Sequence, residues 1–168
     1  MLFTAVGIGF LVLFVHQLTG PNFQHPVTLS DWSATLGFSA ALFALAAALA
    51  RFGRMFGDLR IRRVSFVPSF AAALGGTSNV LEDGLQLEWA FWAFVISSGL
   101  MVLGLAALAI VIAGVARGGD RLLAAVPAAT LVGQLVFPVG GGLLVAAAWL
   151  GCAWAERKTR LTIRATPR

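Results

Sequence analysis

The side chains able to do chemistry are few, and most gather in one stretch. Between Leu74 and Trp92 lie Asn79, Glu82, Asp83 and Glu88, which include three of the seven acidic residues of the chain. On a helix, positions 79 and 82, and 79 and 83, share a face. An amide beside two carboxylates can bind a cation or pass protons, and ionisable groups in a membrane segment read first as functional. His16, on another connection, can complete the set. Gln134 lies in a later apolar run, one helical turn beyond Thr130. The candidate binding site is therefore an outer mouth of Asn79, Glu82, Asp83, Glu88 and His16, with Gln134 deeper.

Each of these residues also has a plainer role. Counted from Val64, Glu82 falls about 27 Å along a helix, close to the membrane interface, where a charged cap costs little. A glutamine inside a membrane run usually bonds across a helix interface. His16 and His25 do not have a zinc-ligand spacing, so no metal is expected, and no cofactor. The single cysteine, Cys152, makes no disulfide within the chain and no multi-cysteine site. No G-x-S-x-G, H-E-x-x-H or glycine-rich dinucleotide fingerprint occurs. Gly140, Gly141 and Gly142 are followed by no Lys-Ser/Thr pair and make no phosphate loop.

The elements that must position these groups are membrane helices. The chain has 168 residues, is 59% hydrophobic and only 11% charged, against roughly 25% charged in soluble domains. Its apolar runs are long, continuous and rich in Ala, Leu and Gly, not the short alternating segments of a membrane barrel. The fold class is all-α: a polytopic bundle of six transmembrane helices. The spans are read at about 2–17, 32–52, 64–81, 89–116, 122–137 and 139–155, as one domain over residues 1–156 with a basic tail over 157–168. The tail is expected to be partly disordered.

Local signals set the breaks. Ser30 or Asp31 can cap the second helix. Pro68 is placed near the first turn of the third, where proline is tolerated. Gly84 reads as its stop, and Trp89 and Trp92 as an interfacial belt opening the fourth. The last 34 apolar residues, Leu122 to Ala155, would make one helix of about 51 Å, too long for a bilayer. Phe137-Pro-Val-Gly-Gly-Gly142 divides them into a hairpin. Small residues at four-residue spacing, Ser33/Gly37/Ala41, Ala71/Gly75/Asn79, Gly142/Ala146 and Ala147/Gly151, mark faces where helices can approach closely.

Charge tests the count of six. All twelve Lys and Arg fall at 51–63, 117–121 or 157–168. Six spans put these places on one side with the N-terminus, and put Asp31, Glu82, Asp83, Glu88 and both histidines on the other. The positive-inside rule makes the basic side cytoplasmic, with both termini inside. The bases flank apolar runs, so lipid headgroups explain them and nucleic acid is not a partner. The bias toward Arg, Ala and Gly fits a GC-rich bacterial genome and a bacterial cytoplasmic membrane.

Three functions fit. The first is binding or transport of a small solute, cation or proton through the acidic outer mouth. The second is a non-catalytic accessory or assembly subunit that packs on a larger membrane partner, or on its own copies, through small-residue faces. The third is a membrane enzyme acting on a lipid, with histidine and acid groups as general acid and base. It comes last because no nucleophile or metal set accompanies them. The lipid bilayer is a partner in all three.

Overall fold

Two helix starts are fixed by short polar side chains. Thr28 and Asp31 form a reciprocal cap: the Asp31 backbone N–H donates to Thr28 Oγ1 (3.2 Å), and the Thr28 N–H donates to Asp31 Oδ2 (2.9 Å). The cap residue is thus Thr28, two places before Ser30, with Asp31 as its partner. Asp58 Oδ1 accepts the Arg60 N–H (2.6 Å), capping the next helix before the arginines begin. In the computed structural model, which describes residues 1–18 and 26–165 (the backbone alone at 119 and 158–165), six α-helices follow in order. They are α1 (Leu2–Gln17), α2 (Leu29–Met55), α3 (Leu59–Asn79), α4 (Ala90–Val115), α5 (Ala125–Leu135) and α6 (Gly141–Ala165). There is no strand among the described residues.

Each helix packs on its sequence neighbours, and α6 returns to α1, so the six close into an up-and-down ring. Its interior is filled. Phe3, Phe52 and Trp149 meet near one end, with ring centroids 5.4–6.4 Å apart. Phe137 meets Phe10 and Phe38 near the other, at 6.3 and 5.5 Å. Leu42, Leu45, Leu49, Leu105, Leu108 and Val145 are wholly buried between them. The Trp149 indole N–H donates to Thr130 Oγ1 (3.0 Å), whose hydroxyl donates to the Val126 carbonyl (2.8 Å). Both polar groups are thereby satisfied inside the ring.

Three helices are long and apolar enough to cross a membrane: Leu29–Met55, Leu59–Gly84 and Ala90–Val115; α1 is a shorter apolar helix. The described residues are thus all-helical, and these three helices suggest a membrane protein. Every described arginine lies at one end of the ring, with the α2–α3 and α4–α5 connections and the end of α6. His16, Asp31, Glu82, Asp83 and Glu88 lie at the other end.

Three local readings are corrected. Because Asp58 starts α3 early, Pro68 sits in the helix interior, not in its first turn. Its missing N–H and its ring are accommodated by α4: a Cβ on Gly104 would lie 2.7 Å from Pro68 Cδ. The stretch from Gly118 to Ala124 is a tight 3-10 turn, so α5 begins only at Ala125. Pro127 at its start cannot donate back into the preceding turn. Finally, α6 continues to Ala165, beyond the boundary expected at 156 and into the tail expected to be partly disordered. The glycine hairpin is as expected: Gly140 takes φ +101° between the Phe137–Val139 turn and α6.

Candidate functional site

The acidic stretch begins where α3 widens. From Val80 to Gly84 the backbone winds as a π-helix, with the Leu85 N–H reaching back to the Val80 carbonyl (3.0 Å). Single π turns are often found at functional sites. The helix ends at Gly84, as expected, but Gly84 is not its left-handed cap. The left-handed residue is Gln86, at φ +55°, and the Leu87 N–H closes on the Leu81 carbonyl (2.9 Å). This seven-to-one closure is one residue wider than a Schellman stop, following the widened π turn, with glutamine in the left-handed position where glycine is usual. The Gln86 side chain donates to the Asp83 carbonyl (2.6 Å) and offsets part of the strain.

Asn79 does not face the mouth. It is buried, and its Nδ2 donates to the Thr35 carbonyl (3.1 Å) and to Ser39 Oγ (2.9 Å), both on α2. It is a bolt between α2 and α3. Glu82 and Asp83 are half-buried on the π turn and Glu88 is exposed. The Glu82 carboxylate has no hydrogen-bond or ion-pair partner among the described residues. The π turn packs on the start of α2: a Cβ on Gly84 would lie 3.6 Å from the Trp32 ring. His16 reaches the same region, its Nε2 lying 3.0 Å from the Ser30 carbonyl. His25 lies outside the described residues.

Gln134 sits one turn inside the Phe137 turn. Its Nε2 is buried without a hydrogen-bond partner among the described residues, beside Gly133, which lies hard against Gly141 and Val145 of α6. The described residues hold no cluster of three or more His, Cys, Asp or Glu able to hold a metal ion.

Two concave surfaces lie elsewhere. Ala5, Gly9, Val12 and His16 on α1 face Ser33, Gly37, Ala40 and Ala44 on α2 across a groove of about 360 Å³. On each wall these residues repeat at four, three and four positions, which keeps them on one helical face. A second groove of about 350 Å³ runs between α5 and α6, lined by Leu122, Val126, Ala129, Leu144, Ala147 and Gly151 among others.

The chain matches no protein-family model, no curated protein and no solved structure.

Of the small-residue faces seen in the sequence, Ala71/Gly75/Asn79 and Gly142/Ala146 are consumed inside the ring. Ser33/Gly37 and Ala147/Gly151 line the outward grooves. The α1 wall was missed in the sequence. Its Ala5/Gly9/Val12/His16 spacing was visible, but a wholly apolar run gives no contrast to mark a face.

Proposed function

We propose that this chain is a six-span protein of a bacterial cytoplasmic membrane, with both termini inside, and that it acts as a non-catalytic accessory subunit. Its α1/α2 groove holds a transmembrane helix of a larger membrane partner. The observation that carries this reading is the groove itself. The α2 wall presents Ser33, Gly37, Ala40 and Ala44, and the α1 wall presents Ala5 and Gly9 at matched helical spacing, with Val12 and His16 beyond them, which lets a third helix approach closely. Ser33 and His16 at its outer end offer polar atoms for bonds between helices. The aromatic packing near both ends of the ring, Phe3, Phe52 and Trp149 at one and Phe10, Phe38 and Phe137 at the other, supports a packing role for the chain. Orientation follows from the arginines at one end.

The test is the mass of the tagged protein released gently from its native membrane, read by native mass spectrometry. The subunit reading expects a heteromeric complex that falls to the monomer when Gly37→Leu and Ala40→Leu fill the groove. A wild-type monomer, or a complex indifferent to the filling, sinks it. Sidedness is tested by reporters fused after Gly84 and after Arg168, which should lie on opposite sides.

A second reading is favoured by Glu82, which is half-buried without a partner among the described residues. Here the π turn is an outer mouth for a cation or small solute, with Asp83 and Glu88 on its rim and transport as the function. Thermal stability in detergent should then depend on cation and pH in the wild type and lose that dependence in Glu82→Gln/Asp83→Asn. Identical profiles would remove this reading.

A further inference from the structure

We propose that the α5/α6 groove is a binding site for one anionic glycerophospholipid of the cytoplasmic leaflet. The proposal rests on the membrane orientation given above but not on the partner helix. Along α6 the groove runs from Leu144 to Ala155, about 16 Å of helix, close to half of a roughly 30 Å hydrocarbon core. It therefore has the depth of one acyl chain in one leaflet. Its walls carry Leu122, Leu123, Val126 and Leu144 beside the small residues Ala147, Gly151 and Ala155 of α6, an apolar channel whose bulkier rim narrows it to the width of an acyl chain. Gly151 leaves it open, since a Cβ there would meet nothing within 4 Å.

Charge decides the headgroup. The groove ends at Leu122 on one wall and Ala155 on the other. Arg121 adjoins the first and Arg157 follows the second, and both are exposed. Arg121 spends only its Nε on the Ala116 carbonyl (2.8 Å), leaving its terminal amino groups. Neither Arg117 nor Arg157 has an ion-pair partner among the described residues. The acids nearby are Asp120, which is exposed, and Glu156, which is already paired with Arg51 across α2 and α6. Arg121 and Arg157 thus flank the basic end of a chain-length apolar channel, with Asp120 the one uncommitted carboxylate nearby. Guanidinium groups bind phosphate oxygens through paired N–H donors, and bases beside helix grooves on the cytoplasmic side suit anionic headgroups.

The experiment uses the purified full chain in detergent with phosphatidylglycerol or phosphatidylcholine of identical acyl chains, and reads retained lipid by native mass spectrometry. The wild type should retain phosphatidylglycerol about tenfold more tightly. Arg121→Gln/Arg157→Gln should lose that preference while keeping the wild-type melting temperature in phosphatidylcholine. Gly151→Leu should lose binding of both lipids. Arg60→Gln/Arg62→Gln, on the same basic end but away from the groove, should leave the preference intact. Equal loss in the Arg60/Arg62 variant would mean diffuse attraction to the whole basic face and would overturn the site. So would retention after Gly151→Leu, or a wild type without preference.

Discussion

The interior of the ring and the grooves on its outside are built from the same residue types and behave in opposite ways. In the interior, Gly104 is closed over by Pro68, and Gly75 by Ser97, whose Oγ would lie 3.0 Å from an added Cβ. On the outside, Gly99, Gly114 and Gly151 would meet nothing within 4 Å. Leu105 is fully buried, while Leu103, two residues earlier on α4, is 68% exposed. In a soluble protein, composition would separate the two regions, because water selects polar residues for the outside. Here lipid surrounds the helices, and the outside is as apolar as the inside. What distinguishes the regions is packing.

Paired substitutions turn that comparison into measurements, each read as unfolding of the detergent-solubilised protein. The largest expected difference is between Leu105→Ala, which should cost about 2–5 kcal/mol through the cavity it leaves, and Leu103→Ala, within about 0.5 kcal/mol of wild type. Equal costs would mean that α4 is not oriented as described. Next is Gly104→Ala, which should cost about 1–3 kcal/mol by forcing Pro68 away. Gly99→Ala should instead stabilise by up to about 1 kcal/mol from helix propensity alone. Asn79→Ala should cost about 1 kcal/mol, the usual worth of a bond between membrane helices. Thr77→Ala, whose exposed hydroxyl only back-bonds to the Ala73 carbonyl (3.0 Å), should change almost nothing. A silent Asn79→Ala would return that residue to the outer mouth. The smallest effect belongs to Gly37→Leu, within about 0.5 kcal/mol of wild type, because its place is in the open groove.

The helices themselves were legible because apolar length and charge clusters are one-dimensional signals. The helix order, the break at Phe137–Gly142 and the start of α4 after Trp89 lie where hydropathy and turn residues put them, while the starts of α3 and α5 and the end of α6 do not. The corrections arise where a third dimension enters. Arg60 to Arg63 read as a loop because charge ends a membrane run, yet Asp58 caps the helix before them, and so Pro68 moves to its interior. Gly84 read as the stop because glycine is the usual left-handed residue, and the helix does end there, but the closing bond from Leu87 to Leu81 puts the left-handed position at Gln86. The spacing of Asn79 with Glu82 and Asp83 was correct as a helical pattern. The face it marks could not be assigned, since α3 is bordered by apolar neighbours on nearly every side. The proximity of His16 to Ser30, and of the π turn to Trp32, depends on tertiary contact that no local pattern carries.

The contact between α1 and α6 has a consequence for how the protein is made. Emergence from the ribosome is sequential, so α1 must wait for α6 before the ring can close. Until α6 arrives, Phe3 and Phe52 flank a vacant slot that Trp149 later fills. A five-helix nascent chain is therefore an open crescent with an unoccupied seam. Closure of this bundle thus waits for the synthesis of α6, and that seam is where an insertion factor or a chaperone would act.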